Sequence, residues 1–414
     1  ADKKNWDDFP FEPANIDVLL VSHAHLDHVG RIPKLVKEGF SGDIFMTEGT
    51  KPLAEIVLKD AHKIMMHDKE EKDDPILYEK EDIEQAMSQM IGVDYNEEIE
   101  VLDGVSAVWK DAGHILGSAF LELNINGKKI AFSGDIGNAN PPILRDTQEL
   151  GDIDFLITES TYGDQIHEPR DEATEILLNS IHKACENKGN VMIPAFSIER
   201  TQELLYDLHK QADNDEVEVL DNVPIYLDSP MAIDVTKVFK DFPQYYDQEA
   251  YQHYVHGESI MSLPNLEFTY NREESKKINS SNPPKVIIAG AGMMNGGRIL
   301  HHAHRYLPDE DSVLLIVGYQ AEGTPGRRLY EGSEQIEIFG DEIDVNAEIN
   351  AVGGISAHGD REKMLDWIGS ADSLPDKMYC VHGEPKSASE LAHRAEEQYE
   401  LDAFVPAFGE KVEI

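Results

Sequence analysis

The sequence predicts an α/β fold divided into more than one domain, and three observations support this. The chain has 414 residues, which corresponds to two or three domains of ordinary size. Its 41% of hydrophobic residues is sufficient to build folded cores, so wholesale disorder is excluded. Short apolar, β-branched runs alternate with stretches of helical periodicity along most of the chain. This alternation is typical of layered α/β proteins.

The predicted elements follow in chain order. Apolar runs bounded by turn residues predict strands at Ile16–Ser22, Lys129–Ser133, Phe155–Glu159, Asn190–Pro194, Pro224–Leu227, Lys285–Ala289 and Ser312–Val317. Apolar residues at helical spacing predict helices at Gly30–Glu38, Lys51–Asp68, Thr174–Glu186, Arg200–Gln211 and Ala388–Gln398. The segment His67–Gln85 is crowded with charged residues and predicts a solvated pair of helices. No internal repeat or low-complexity linker is visible, so we expect domains joined by insertion.

Acidic residues outnumber basic ones by 80 to 36, which gives a formal net charge of −44 at pH 7. Such a charge argues against a polyanionic partner for the surface as a whole, and it predicts adaptation to high salt. The segment Lys285–Tyr330 differs, because its five bases and four acids give a net charge of +1 beside three histidines. A polyanion therefore remains compatible with this one region.

The cellular setting is predicted from three absences in the sequence. The two cysteines, Cys185 and Cys380, cannot form a disulfide framework in a chain of this length. No run of 18 apolar residues exists, and the polar first residues lack the apolar core of a signal peptide. We therefore expect a cytoplasmic protein without membrane association.

The residues with the clearest chemistry lie at Ser22–Gly30, which reads S-H-A-H-L-D-H-V-G. This H-x-H-x-D-H cluster directly follows a predicted strand and precedes a predicted helix. Three imidazoles and a carboxylate in one loop can direct several ligands at one point. They suit Zn²⁺, and Mn²⁺ or Fe²⁺ would also be accommodated.

Four further segments add donors of the same kind, and each places a His or an Asp in a Gly-rich turn beside an apolar run. They are Asp111–Ser118 (DAGHILGS), Ser133–Gly137 (SGDIG), Gly354–Arg361 (GISAHGDR) and Val381–Glu384 (VHGE). Glycine at such turns permits close approach of the backbone to a buried ion. Together with the first cluster, these donors are sufficient for two coordination spheres.

These motifs resemble those of a known family. His23, His25, Asp27, His28, His114 and Asp135 are similar to the ligand set of the metallo-β-lactamase fold, which glyoxalases and lactonases share. Glu159 in TESTYGD, His358 in ISAHGD and His382 in VHGE resemble motifs A, B and C of the β-CASP nucleases. That family includes the nuclease subunit of the mRNA cleavage and polyadenylation factor, its archaeal and bacterial counterparts, and ribonuclease J.

The resemblance implies a dinuclear zinc centre, with Mn²⁺ as an alternative metal. One ion would be held by His23, His25 and His114, and the other by Asp27, His28 and His382, with Asp135 bridging them. Paired cations stabilise the charge that develops on both oxygens of a phosphodiester, and they supply a hydroxide near pH 7.

The resemblance also implies three catalytic residues for this two-metal hydroxide mechanism. His358 would protonate the leaving oxygen as general acid, and Glu159 would orient it by a hydrogen bond. Asp27 is also expected to be catalytic, in addition to being a metal ligand. In the family a His at motif C accompanies RNA substrates, so His382 favours RNA.

The same resemblance implies a four-layer αββα metallo-β-lactamase domain with an inserted α/β β-CASP domain. We expect the first domain at residues 1–165 and 351–414, and the insert at 166–350. The family carries two or more strands before its histidine cluster, whereas His23 follows only 22 residues here. We therefore expect that the first domain is truncated or its sheet shortened.

A Gly-rich turn predicts where the phosphates of a substrate are held. The predicted strand Lys285–Ala289 leads into a run that contains Gly296, Gly297 and Arg298 and then into a helix. Such a turn presents backbone N–H groups to an anion, and Arg298, Arg327 and Arg328 can bind phosphate oxygens in a bidentate manner.

The sequence therefore predicts a zinc-dependent ribonuclease that acts as endonuclease, 5′-exonuclease or both. RNA is the expected partner, and a homodimer is left open. Two alternatives remain at this point: a metallo-hydrolase acting on a small ester or thioester, and a non-catalytic RNA-processing scaffold. The Gly-rich loop argues against the first, and the full set of seven ligands argues against the second.

Overall fold

The computed structural model describes residues 2–72, 75–212, 220 and 223–412. The chain forms two compact units, one made of residues 1–166 and 358–414 and the other of residues 167–357. We call them unit 1 and unit 2. Among the described helices, none is long and apolar enough to cross a membrane.

Unit 1 contains two β-sheets. Its strands are β1 (Val18–Leu20), β2 (Asp43–Thr47), β3 (Met90–Val93), β4 (Glu98–Leu102), β5 (Val105–Asp111), β6 (Ala119–Ile125), β7 (Lys128–Phe132), β8 (Phe155–Thr158), β17 (Lys377–Cys380) and β18 (Asp402–Phe404). The small sheet has the order β1-β2-β3 and is parallel. The large sheet has the order β18-β17-β8-β7-β6-β5-β4, antiparallel from β4 to β7 and parallel from β7 to β18.

Helices cover the outer faces of both sheets. They are α1 (Asp2–Asn5), α2 (Leu26–Val29), α3 (Ile32–Lys37), α4 (Thr50–Lys72), α5 (Lys80–Gln89), α13 (Arg361–Gly369) and α14 (Pro385–Tyr399). Helices α4 and α5 contact β2, whereas α14 contacts β17 and β18. Phe45 from the small sheet packs in one buried cluster with Trp109 and Leu121 from the large sheet. Unit 1 is therefore built as helix, sheet, sheet and helix layers.

Unit 2 is an α/β domain around one parallel sheet. Its strands are β9 (Asn190–Pro194), β10 (Ile225–Leu227), β11 (Leu266–Phe268), β12 (Lys285–Ala289), β13 (Val313–Ile316) and β16 (Glu348–Ala351), in the order β11-β10-β12-β9-β13-β16, with a separate hairpin of β14 (Gln335–Ile338) and β15 (Asp341–Asp344). Every residue of β9, β12 and β13 is buried. Parallel strands with both faces covered show this continuous burial.

The helices of unit 2 connect these strands. They are α6 (Arg170–Asn187), α7 (Arg200–Ala212), α8 (Pro230–Asp241), α9 (Gln248–Val255), α10 (Arg272–Ile278), α11 (Ile299–Tyr306) and α12 (Pro325–Tyr330). Their apolar faces and the sheet share a core that includes Met192, Ile287 and Leu314. The mixed α/β class predicted from the sequence is confirmed.

The bounds of individual elements agree with the sequence to different degrees. The predicted strands at residues 190–194 and 285–289 coincide with β9 and β12. The predicted helix over residues 30–38 was incomplete, because the chain turns helical at Leu26 and forms two short helices on either side of Gly30. Of the charged segment 67–85, residues 73 and 74 lie outside the described residues, and α4 and α5 flank them.

Candidate metal centre and substrate-binding loop

The donor residues of unit 1 follow the carboxyl ends of strands, one in the small sheet and four in the large sheet. The cluster that begins at His23 follows β1, His114 follows β5, Asp135 follows β7, and Glu159 and His382 follow β8 and β17. Strands β5 and β7 are both antiparallel to β6, and β8 and β17 run parallel to β7. Their carboxyl ends therefore meet at the same edge, and this brings distant residues together.

One group of donors surrounds a single point. His25 Nδ1 lies 3.2 Å from His23 Nε2 and 3.0 Å from His114 Nε2. Asp135 Oδ2 lies 3.3 Å from His23 Nε2 and 3.6 Å from His114 Nε2. Ligands of a tetrahedral zinc ion at about 2.0–2.1 Å are separated by about 3.3 Å. The spacing of these four atoms fits that geometry.

A second group lies beside the first. His382 Nε2 is 3.2 Å from Asp27 Oδ2, and His28 Nε2 is 3.8 Å from the same oxygen. Asp135 Oδ2 is 3.3 Å from His28 Nε2, so this single oxygen faces both groups. The structure thus brings together all seven residues that the sequence predicts as metal ligands.

The hydrogen bonding of this cluster is incomplete without an ion. His28 Nε2 and Asp135 Oδ1 are buried and form no hydrogen bond within the described residues. A buried polar atom without a partner costs about 1–3 kcal/mol. Imidazole nitrogens and carboxylate oxygens are ligands of Zn²⁺ and Mn²⁺, so a bound cation would satisfy these atoms. The donor set fits a metal site.

Nearby carboxylates outweigh burial and raise the pKa of His28 and His382 in the second group, whereas the electrostatics of the first group favour metal-binding protonation states. Burial, and then the charge of His28, lower the pKa of His23, while burial lowers the pKa of His25 to about 3. Burial acts to raise the pKa of Asp135, but the charges of His23 and His28 outweigh it and lower that pKa well below its usual range. Neutral imidazoles and an ionised carboxylate are the forms that coordinate metal ions.

Glu159 holds His358 next to this cluster. The Glu159 carboxylate is buried and accepts hydrogen bonds from Ile136 N (2.6 Å), Thr161 Oγ1 (2.5 Å) and His358 Nδ1 (3.1 Å). Burial acts to lower the pKa of His358, but the charge and hydrogen bond of Glu159 outweigh it and the pKa is raised. Nδ1 faces Glu159, so Nε2 lies on the side of the ring away from that carboxylate. The His358 ring lies 4.5 Å from that of His114, centroid to centroid.

The local backbone explains why this arrangement needs glycine. Gly359 N donates to Ile136 O at 2.8 Å, which pairs the His358 segment with the loop of Asp135. A Cβ atom at Gly137 would lie 1.9 Å from Gly113 O, so no other residue fits there. These contacts fix the loops that carry His114, Asp135 and His358 relative to one another.

The Gly-rich loop of unit 2 lies between β12 and α11. Gly297 has φ +76°, and a Cβ atom there would lie 2.3 Å from Gly290 O. Gly296 has open space at its Cβ position. The loop contacts the segment that carries the other predicted arginines, because Gln320 Nε2 donates to Gly292 O at 2.9 Å. The two predicted phosphate-binding segments are therefore neighbours.

The three predicted phosphate-binding arginines lie in different surroundings. Arg298 is only 23% exposed and donates to the Asp228 carboxylate at 2.6 Å. Arg327 forms an ion pair with Glu331 at 2.7 Å, whereas Arg328 is exposed. Arg298 is therefore anchored inside the protein, and Arg328 is the most accessible of the three.

Sequence reasoning missed Asp228, which organises this region. Its carboxylate is fully buried and also accepts hydrogen bonds from His302 Nε2 (2.8 Å), Ser275 Oγ (2.6 Å) and Thr269 Oγ1. Burial acts to raise its pKa, but these hydrogen bonds outweigh it and lower the pKa to about 2. The signal was an acidic residue directly after a buried strand, in the run LDSPMA.

Comparison with known proteins places the chain in a family. A metallo-β-lactamase superfamily domain matches residues 3–156, a Beta-Casp domain matches 201–329, and a Zn-dependent metallo-hydrolase RNA specificity domain matches 342–406. Ribonuclease TTHA0252 of Thermus thermophilus is 36% identical over 381 residues, which cover 92% of this chain and 84% of that protein. This chain belongs to the β-CASP family of the metallo-β-lactamase superfamily. The resemblance expected from the sequence is confirmed.

Other relatives of this β-CASP protein differ in length. An RNase J-like protein of Methanocaldococcus jannaschii is 31% identical, covering 95% of this chain and 88% of that protein. Transcription termination factor FttA of Pyrococcus horikoshii is 32% identical, but only 60% of its length is matched. A crystal structure of a protein of unknown function from Enterococcus faecalis V583 shares the fold, with a TM-score of 0.51, 12% identity, and coverage of 98% of this chain and 82% of that one.

Proposed function

We propose that this β-CASP protein is a zinc-dependent ribonuclease that hydrolyses RNA phosphodiester bonds with His358 as general acid. The observation that carries the proposal is the position of His358. Its ring is oriented by the buried Glu159 carboxylate and lies beside two adjacent groups of metal donors. Relatives named as ribonucleases over most of the chain length support an RNA substrate.

The seven donor residues form two groups in space, and we assign one metal ion to each group. His23, His25 and His114 would hold one ion, Asp27, His28 and His382 would hold the other, and Asp135, whose carboxylate faces both groups, would serve both. Two such cations supply Lewis-acid stabilisation of a phosphodiester and a water of lowered pKa. Zn²⁺ suits this donor set, and Mn²⁺ is the alternative.

His358 and Glu159 carry the proton transfer. Glu159 accepts the Nδ1 proton of His358 in a hydrogen bond, which fixes the tautomer and orientation of the ring. His358 Nε2 would then donate a proton to the leaving oxygen of the RNA. The raised pKa of His358, opposed by burial but caused by the Glu159 charge, keeps that proton available near neutral pH.

Unit 2 would bind the RNA backbone. Backbone N–H groups at Gly296 and Gly297, together with the exposed Arg328, are suited to phosphate oxygens. Arg327 would contribute beside it, and Arg298 would act mainly by fixing the loop because Asp228 already binds it. In a protein of net charge −44, this region is the one whose composition tolerates a polyanion.

RNAs labelled at the 5′ or the 3′ end, incubated with zinc-loaded protein in high salt, test this function. We expect wild type to cleave both, and the length of the labelled products distinguishes internal cleavage from 5′-end degradation. His358→Ala should slow cleavage by about 10²- to 10⁴-fold, the contribution of general acid–base catalysis. Its metal content, measured by plasma mass spectrometry, should stay equal to that of wild type.

Two controls make the result specific. His393→Ala removes an exposed imidazole on α14 of the same unit and should leave cleavage unchanged. A small carboxylic ester is the second substrate. Equal RNA cleavage by wild type and His358→Ala would contradict the mechanism. Activity on the ester but not on RNA would show that the protein is an esterase rather than a ribonuclease. Protein purified natively without any transition metal would favour a non-catalytic scaffold.

The remaining predictions concern domains and setting. We assign residues 1–165 and 351–414 to the metallo-β-lactamase domain and 166–350 to the β-CASP domain. The matches at 3–156 and 201–329 lie within the first and second of these domains, whereas the match at 342–406 begins nine residues before 351. A cytoplasmic location, a homodimer and adaptation to high salt stay predictions. The last is tested by unfolding in a salt series, where stability should rise with salt up to molar concentrations.

A further inference from the structure

The tip of the β14–β15 hairpin in unit 2 carries an aromatic residue in an unusual position. Ile338 pairs with Asp341, so Phe339 and Gly340 form a two-residue turn. Their φ angles are +56° and +86°. Such a turn favours Asn-Gly, because positive φ strains the backbone of a bulky residue. The turn itself gives no reason for phenylalanine.

The Phe339 ring does not stabilise the core either. It is 58% exposed, whereas Ile336, Ile338 and Ile343 anchor the hairpin in the buried core of unit 2. An exposed aromatic ring on a strained residue therefore has no structural explanation within its hairpin. Residues kept in costly conformations are often held there for function.

The ring packs against the helix that follows the Gly-rich loop. Its centroid is 4.6 Å from that of His301 and 6.1 Å from that of His304, both on α11. His301 N donates to Arg298 O at 3.0 Å, so His301 lies in the first turn after the loop. His304 Nε2 is held by Asp341 at 2.9 Å. The aromatic surface is thus fixed one helical turn from the predicted phosphate contacts.

The charge around this surface is mixed, because the hairpin carries Glu337, Asp341 and Glu342, whereas basic residues lie on α11 and just before it. Burial lowers the pKa of His301, and the charges of His302 and Arg272 add to that effect, so its imidazole is neutral and can stack. Arg305 is exposed on the same helix, and Arg298 precedes it. Aromatic rings beside basic side chains are the usual features of single-stranded nucleic-acid binding.

We propose that Phe339, supported by His301, is a stacking platform for an unpaired base of the RNA substrate. The proposal rests on the proposed function and adds a base-binding subsite to it. A base stacked on an aromatic ring contributes about 1–3 kcal/mol to binding, and it does so for any base sequence. The protein would therefore prefer single-stranded RNA at this position without reading its sequence.

Phe339→Asn tests the platform, because Asn-Gly suits the turn and removes only the ring. With an unstructured, 5′-labelled RNA at fixed salt, KM should rise about 5- to 100-fold, while kcat stays within about twofold. Phe339→Trp should stay close to wild type. Tyr254→Ala, which removes another exposed aromatic side chain of unit 2, is the matched control and should leave KM unchanged. An unchanged KM in Phe339→Asn would overturn the proposal.

A second measurement separates this proposal from the proposed function. Fluorescence anisotropy with the same RNA is recorded in protein that carries His358→Ala, so that cleavage does not interfere. RNAs with one abasic site at successive positions should show a position that weakens binding, and that weakening should disappear when Phe339→Asn is added. Loss of binding without such a position would contradict stacking. If wild type fails to cleave RNA but this pattern is found, only the proposed function fails.

A third outcome would also overturn the stacking proposal. If Phe339→Asn changes the sedimentation coefficient of the protein while RNA binding is unchanged, Phe339 contacts another protein molecule rather than RNA.

Discussion

Two buried carboxylates at the ends of strands, Asp135 in unit 1 and Asp228 in unit 2, show two different uses of the same position. Asp228 accepts hydrogen bonds from four side chains, two of them cationic or able to become so. Asp135 is surrounded by imidazole nitrogens, and its Oδ1 forms no hydrogen bond within the described part of the chain. Both carboxylate oxygens of Asp228 are therefore hydrogen-bonded, whereas one oxygen of Asp135 is not.

This difference separates a positioning cluster from a binding cluster. Buried polar groups are normally satisfied by the protein. Where both oxygens of a buried carboxylate are hydrogen-bonded by the protein, as in Asp228, the carboxylate fixes loops such as the one that contains Arg298. Where several metal-binding groups face one another and some of their polar atoms have no hydrogen-bond partner, a bound cation would supply the missing interactions. The predictions below test this distinction, from the largest expected effect to the smallest.

Asp135→Asn should have the largest effect, because it removes the one carboxylate that faces both donor groups. We expect metal content to fall from two ions to one or none and RNA cleavage to fall below detection. Plasma mass spectrometry and the labelled-RNA assay measure both. Asp103→Asn, an exposed carboxylate in the same unit, is the control. Full activity and two bound ions in Asp135→Asn would show that the Asp135 carboxylate is not a required metal ligand.

Glu159→Gln should reduce cleavage by about 10- to 100-fold, the usual effect of losing a group that orients a site residue. The amide cannot accept from Ile136 N, Thr161 and His358 together without a mismatch. Metal content should change little, in contrast to Asp135→Asn. If Glu159→Gln also loses its metal, Glu159 is a ligand rather than a positioning residue.

Asp228→Asn should destabilise the protein by about 2–4 kcal/mol, because Arg298 and His302 lose a buried anionic partner. Metal content should not change. Urea unfolding gives the free energy, and Asp234→Asn, exposed on α8, is the control. A stability equal to wild type would show that the cluster is not a structural unit.

The difference in stability between wild type and Asp228→Asn should depend on pH. Hydrogen bonds outweigh burial and lower the Asp228 pKa to about 2, below the 3.8 of an unperturbed Asp. The ionised carboxylate therefore stabilises the fold above pH 3.8, and this contribution is lost as the pH falls towards 2. The difference in free energy of unfolding between wild type and Asp228→Asn should be constant from pH 7 to 5 and should become smaller below pH 4. If this difference in free energy became larger as the pH falls, the predicted pH dependence would be wrong.

Ser229→Ala should have the smallest effect, about 1 kcal/mol, the usual value of an N-cap. Ser229 caps α8 by accepting from Ala232 N and lies directly after Asp228. Differential scanning calorimetry should show a small decrease in Tm with metal content unchanged. A loss as large as that of Asp228→Asn would mean that the hydroxyl belongs to the buried cluster.

The sequence alone predicted the α/β class, the family and two strands to the residue, because these depend on local patterns. Apolar runs such as Lys285–Ala289 encode buried strands directly. The short helix that begins at Leu26 was missed, because the histidine cluster there hides the helical periodicity. The roles of the individual site residues stay predictions until the variants above are measured.

The residue types at the candidate metal centre were determined by the sequence itself, since imidazole and carboxylate groups are the ligands that Zn²⁺ and Mn²⁺ accept. Which atoms meet was decided only by the tertiary structure. Glu159 and His358 are 199 positions apart, and the strand order brings them within hydrogen-bonding distance. The same holds for Arg298, which pairs with Asp228, and for Phe339, which packs on His301. Local sequence specifies the chemistry available at each turn, whereas long-range packing determines which turns become neighbours.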